Sequence, residues 1–299
     1  MSVFPYVLVL ACGVLWGMTF SLARIAASNA AHPVGLAFWQ ALGGGLVLLA
    51  YCLLRRRRPP LHRAGLRHAL VIALFGTSIP ASLFFYAAPQ VPAGVLAITV
   101  ALVPMLTYAL SWMLGIERLN RRRSFGIGLG FAAIVLLVAP DTSLPDPAMA
   151  GWLALPLVAS VFYTLENVYV DVSVPQNTDM AGLLTTALII AAATLWPVMM
   201  AAGAFHPLSL PLDDADLALI GMMVVSSAAY VMFLSVVKMA GAVFASVIGY
   251  VITLAGVFWG LVFFAERHSP WVWAALALML AGMLLVRPRR SVPDLGAHG

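Results

Sequence analysis

Glu166 is the one carboxylate set well inside a long apolar run of this sequence. A side chain of that type is where chemistry at membrane depth would begin. Nearby, Ser160, Tyr163, Thr164 and Asn167 recur at i, i+3, i+4 and i+7, so a helix would carry all four on one face, with Glu166 one step round. That pattern suits a site for a substrate amine or for a transferable proton. It suits equally a glutamate that snorkels to the headgroups, because Asp171 follows within about one and a half turns.

Aligned hydroxyls recur along the chain. Ser78, Ser82 and Tyr86 are spaced i, i+4, i+8, and Thr99, Thr107 and Ser111 form a comparable stripe on the next run. Further on, Ser226, Ser227 and Tyr230 cluster on adjoining faces, and Ser246, Tyr250 and Thr253 repeat at i, i+4, i+7. One such residue in an apolar helix commonly bonds its own backbone or glues a neighbouring helix. Stripes on several runs together predict the wall of a polar space inside a bundle. The candidate pathway residues are therefore Trp16, Ser78, Ser82, Tyr86, Thr99, Tyr163, Glu166, Ser227, Tyr230, Ser246 and Tyr250. Trp16 and the tyrosines would make that wall aromatic and amphipathic.

No catalytic constellation accompanies these residues. His32, His62, His68, His206, His268 and His298 lie singly in loops, at run ends or in the tail. HExxH, GxSxG, P-loop and paired intramembrane aspartate patterns are all missing, so neither an enzyme nor a metal or cofactor is expected. Cys12 and Cys52 sit in apolar runs without CxxC spacing and read as buried thiols.

The elements that must position the stripes follow from composition. Hydrophobic residues make up 63% and charged residues 9% of the 299, against roughly 25% charged in ordinary soluble domains, and the mean hydropathy is +1.01. The fold class is thus an all-α integral membrane protein. Apolar runs at about 3–27, 34–54, 66–88, 92–114, 124–140, 149–170, 180–202, 216–237, 241–264 and 270–287 predict ten spans. All basic residues except Arg24 and Arg267 fall at one end of those spans, which predicts that both termini are cytoplasmic. The net charge of +5 thus resides in short loops, and the partners expected are a lipid bilayer and a small-molecule substrate rather than nucleic acid. Oligomeric state is open.

The chain also repeats itself. Glu117-Arg118 recurs as Glu266-Arg267, and at the same offset Thr77-Ser78 lands on Ser226-Ser227 and Phe84 on Phe233. Two halves are expected, 1–145 and 146–290, with a disordered cytoplasmic tail at 291–299. Five spans per half is an odd number, so the halves must enter the membrane in opposite directions, giving two inverted five-helix repeats around a central cavity. Gly126, Gly128 and Gly130, with Ala275, Ala277, Ala281 and Gly282, mark the fifth and tenth spans as close-packing helices.

Trp16-Gly17, Glu117 followed by Gly126, and the repeated Glu266 before the last span resemble the drug/metabolite transporter superfamily in its ten-span EamA-type branch, over about 5–287. Within it the chain is most similar to the YddG-type exporters of aromatic and other neutral amino acids. The resemblance implies a basket-like bundle with a cavity formed by spans 1, 3, 4, 6, 8 and 9. It also implies export of small neutral amino acids across a bacterial-type plasma membrane by alternating access. The alternative is an efflux pump for hydrophobic cationic drugs or other metabolites. Many relatives carry a basic residue early in span 2, where this chain has Trp39-Gln40, so anionic substrates are less expected.

Overall fold

The computed structural model describes residues 3–28, 32–139, 144, 146, 148–208, 210–240 and 247–286. Every regular element among them is a helix. Ten helices follow the apolar runs: α1 Phe4–Ala26, α2 Pro33–Leu54, α3 Arg63–Ala87, α4 Ala93–Met113, α5 Arg121–Val138, α6 Met149–Ser173, α7 Met180–Ala201, α8 Asp214–Ala240, α9 Ile248–Phe264 and α10 Pro270–Val286. Seven of them, α1 to α4 and α6 to α8, are long and apolar enough to cross a membrane by length and composition. The apolar α9 and α10 are 17 residues each, about 25 Å at 1.5 Å per residue, the short end of what a bilayer needs. The 18-residue α5 begins on three arginines.

Three helices are broken, each just before a proline. A proline inside a helix gives no N–H and crowds the carbonyl four residues back. Pro80 therefore follows a wide turn at Leu74–Ser78 in α3. Pro104 follows the interruption at Ala101 and Leu102 that divides α4 into Ala93–Val100 and Val103–Met113. Pro156 follows Leu153, which parts Met149–Trp152 from Ala154–Ser173 in α6. The crowded carbonyls, those of Gly76, Val100 and Trp152, all lie at the breaks. Each interruption re-aims the side chains beyond it.

The packing has a two-fold order. Three helices pack on their own counterparts from the other half: α2 on α7, α4 on α9 and α5 on α10. Most of the remaining large contacts come as matched pairs, α1 on α8 with α6 on α3, α1 on α9 with α6 on α4, and α2 on α8 with α7 on α3. The self-paired helices run antiparallel. Phe38 near the start of α2 meets Trp196 near the end of α7, while Cys52 near the end of α2 meets Thr185 near the start of α7. Gly126 in the second turn of α5 faces the last turns of α10, where a Cβ added at Gly126 would lie 2.8 Å from the Gly282 carbonyl oxygen. An antiparallel counterpart pair is what an inverted repeat requires, with its axis in the plane of the membrane. The deepest element is the first half of α4, in which Ala93 to Thr99 are all buried.

Candidate functional site

A cavity of about 530 Å³ opens in the middle of this bundle. Its wall is largely aromatic. Trp16 of α1 meets Tyr230 and Phe233 of α8 edge-on, with ring centroids 5.9 and 6.1 Å apart. On the other side Phe20, Phe84 and Tyr163 form a second chain of rings, each pair 6.3 Å apart. Broken helices feed this wall: Gly76, Thr77, Ala81, Phe84 and Phe85 come from α3, Val100 and Val103 from α4, and Tyr163, Glu166 and Asn167 from α6.

Glu166 is the only charged residue among the described residues of the wall. It is half-buried, its open side facing the cavity, and it makes no hydrogen bond or ion pair with any described residue. Gly76 leaves the space it occupies, because a Cβ there would fall on the carboxyl group itself. Tyr163 and Tyr230 line the same cavity. Gln40, Thr77, Asn167 and Ser226 also face the cavity without a protein partner among the described residues. Two other wall hydroxyls are spent locally, Thr19 on the Trp16 carbonyl at 2.6 Å and Ser227 on the Met223 carbonyl at 2.8 Å. The arrangement can hold a molecule with an apolar body and a small polar head. It offers no nucleophile–base pair, and no group of three metal-ligating side chains occurs among the described residues.

At one end of the wall, beside Ala23, lies a clamp. Glu266, in the link from α9 to α10, accepts the backbone N–H groups of Ala93 at 2.7 Å and Gly94 at 3.2 Å, the first turn of α4. It also pairs with Arg24 of α1 at 2.7 Å, and that guanidinium lies 4.4 Å above the Phe264 ring. His268 Nε2 stands 3.3 Å from the other carboxyl oxygen, within ion-pair reach but off the line of a hydrogen bond. Burial pushes the Glu266 carboxyl up, while His268 and the Ala93 and Gly94 amides outweigh it and hold the group below its ordinary value. At the other end Glu117 bonds only within its own hairpin, to Arg123 at 3.1 Å.

The sequence model of the EamA-like transporter family matches residues 3–139 and again residues 150–287. The chain belongs to that family. It is therefore a multi-span membrane transporter built as a tandem repeat, and not an enzyme. It is 28% identical over 281 residues to the uncharacterized inner membrane transporter YedA of Escherichia coli K12, covering 91% of this chain and 87% of that protein. The YedA proteins of Escherichia coli O6:H1 and O157:H7 match to the same extent. A crystal structure at 20% identity superposes with a TM-score of 0.60 over 96% of this chain and 98% of its own, which shows a shared fold.

Of the residues expected on the pathway, Trp16, Tyr163, Glu166, Ser227 and Tyr230 line the cavity. The stripe on α3 lies elsewhere. Ser78 is buried with its hydroxyl 3.3 Å from that of Thr194 on α7, Ser82 bonds back to the Ser78 carbonyl at 2.7 Å, and exposed Tyr86 sits against His32 at the helix end. The adjacent stripe of the same helix, Thr77, Ala81 and Phe84, takes the wall instead. Thr99 is buried, donating to the Leu96 carbonyl, and its own carbonyl accepts from Ser160. Half-buried Tyr250 packs on the core, and from α9 it is Ile252 that lines the cavity. Ser246 lies outside the described residues, as does the tail at 291–299. A six-helix wall also proves too few, because Gln40, Gly44 and Leu48 of α2 and Leu184 and Leu188 of α7 line it too. The Gly43-Gly44-Gly45 run was the sequence signal for α2, a helix thinned to let a neighbour or a ligand approach.

Proposed function

We propose that this transporter exports small neutral amino acids with aromatic or other apolar side chains across the inner membrane, by alternating access about the central cavity. The observation that carries the reading is a cavity of about 530 Å³, within the roughly 300–1,000 Å³ of small-molecule sites, lined by aromatic rings and by polar side chains left unpaired. The rings take an apolar side chain, and the amides and hydroxyls of Gln40, Asn167, Thr77 and Ser226 take the polar head. Arginine concentrated at one end supports cytoplasmic termini, and the likeness to an inner membrane transporter supports the location. The test is flux of radiolabelled phenylalanine and leucine in proteoliposomes holding the purified protein. Saturable flux of either above protein-free vesicles is expected; absence of flux for every neutral amino acid refutes the reading.

One observation favours a second reading. The single charge on the wall is negative, which suits efflux of hydrophobic organic cations. Protein-dependent flux of such a cation with none of phenylalanine or leucine would replace the first reading by the second.

A further inference from the structure

A carboxylate at membrane depth is costly to keep charged and is normally paired. Glu166 has no such pair among the described residues. The described arginines lie at helix ends and their connecting segments, and no Arg, Lys or His stands among the cavity residues. The surroundings nevertheless make room for it: glycine at position 76 clears its volume on α3, and Tyr163 of α6 and Tyr230 of α8 line the same cavity. Snorkelling does not account for this, because the carboxyl faces the cavity rather than the helix end that Asp171 approaches. An anion on a wall of aromatic rings attracts a cation by charge, and a ring face turned to the cation adds its quadrupole.

We propose that Glu166 is the counter-charge for an ammonium group on the transported molecule, and that the cavity selects amines on an apolar body while rejecting anions of the same shape. The proposal deepens the transport reading and rests on it only for the cavity's being the substrate site. A zwitterion places its ammonium at Glu166 and its carboxylate on the unpaired donors of Asn167, Gln40, Thr77 and Ser226, with no full positive charge to receive it. The wall therefore ranks ligands by charge at constant size, with cation first, zwitterion second and anion last.

Phenethylamine, phenylalanine and 3-phenylpropionate share one ring and differ mainly in that charge. Their affinities for the full-length protein in detergent at neutral pH are to be measured by calorimetry, for wild type, Glu166→Gln and Glu166→Asp. Phenethylamine is expected to bind tightest and 3-phenylpropionate at least tenfold more weakly. Glu166→Gln is expected to weaken phenethylamine at least tenfold without weakening 3-phenylpropionate, and Glu166→Asp to restore part of the loss. Should Glu166→Gln fail to elute as a monodisperse species, the wild-type ranking and the aspartate variant decide. The proposal is overturned if phenethylamine does not bind, if 3-phenylpropionate binds wild type as tightly, or if Glu166→Gln leaves the ranking unchanged. Glu166-dependent binding of phenethylamine without amino-acid flux would remove the amino-acid reading alone. Amino-acid flux with a charge-blind ranking would remove this proposal alone.

Discussion

Replacing Glu266 by glutamine tests the clamp with little change of shape. Two carboxyl oxygens receive Arg24 and the Ala93 amide on one atom and the Gly94 amide on the other, and the side chain is only 6% exposed. Glutamine keeps one acceptor oxygen but must turn its NH2 toward the Gly94 N–H, leaving a buried donor unsatisfied at about 1–3 kcal/mol. Arg24 also loses its countercharge. Breaking a fully buried pair costs about 3–5 kcal/mol, but Arg24 is 27% exposed and water recovers much of that. About 2–4 kcal/mol in all is expected. The matched change Glu117→Gln removes a pair whose carboxylate is 47% exposed and should cost under about 1 kcal/mol. Unfolding of both variants and wild type in one detergent, by denaturant titration followed by circular dichroism, gives the comparison. The folded state holds the Glu266 carboxyl below its ordinary value of 4.5. The clamp's full contribution is thus present above about pH 4.5 and is lost as pH falls through the lower folded value. The gap between wild type and Glu266→Gln should narrow over that range. Equal costs for the two glutamines, or a gap that widens on acidification, would refute this account.

Bulk in the cavity should stop transport without unfolding the protein: Thr77→Trp or Ser226→Trp is expected to lower initial flux at least tenfold per folded molecule. Val135→Trp, on the outer face of α5 where the valine is 58% exposed, should leave flux within twofold. Gly282→Val sets side-chain atoms against the Gly126 carbonyl oxygen, 2.7 Å from an added Cβ. It should cost about 1–3 kcal/mol, seen as a lower yield of monodisperse protein. Asp179→Ala breaks a bond from Arg57 in which both side chains are 36% exposed and also removes the cap on the Ala181 N–H at the start of α7, so stability should fall by about 1–2 kcal/mol in the same denaturant titration.

The helices were legible because apolar runs of bilayer length have one way to satisfy their backbone, and the repeat was legible because Glu117-Arg118 and Glu266-Arg267 stand in register. Gly126 and Gly282 announced the α5–α10 contact, where backbone meets backbone. The phase of α3 was not legible. Ser78, Ser82 and Tyr86 keep their i, i+4, i+8 spacing along the regular turns of Ile79–Ala87, but which face of that helix meets the cavity depends on how it packs, and the face of Thr77, Ala81 and Phe84 takes the wall while Ser78 meets Thr194. Nor does a stripe of hydroxyls announce walls made of Leu184, Leu188 and Phe84, which read as ordinary apolar positions. The clamp joins Arg24 to a partner 242 residues away, a contact that exists only once α1 and α9 have packed.

The two-fold order belongs to the scaffold and not to the site. Both halves end their fourth helix alike, the Glu117 amide donating to the Ser111 carbonyl and the Glu266 amide to the Gly260 carbonyl, each six residues back. At the offset that relates those glutamates, the prolines that break α3, α4 and α6 fall on Ala229, Thr253 and Val7, and Glu166 falls on Gly17. Gly17 has no room for any side chain, since an added Cβ would lie 2.7 Å from Ala255 and 2.8 Å from the Gly256 nitrogen. A cavity on the axis of two identical halves would offer a ligand two equivalent poses. Under the proposed transport reading, one carboxylate on α6, where the other half has a packing glycine on α1, would remove that degeneracy and hold a molecule with distinct polar and apolar ends in a single orientation.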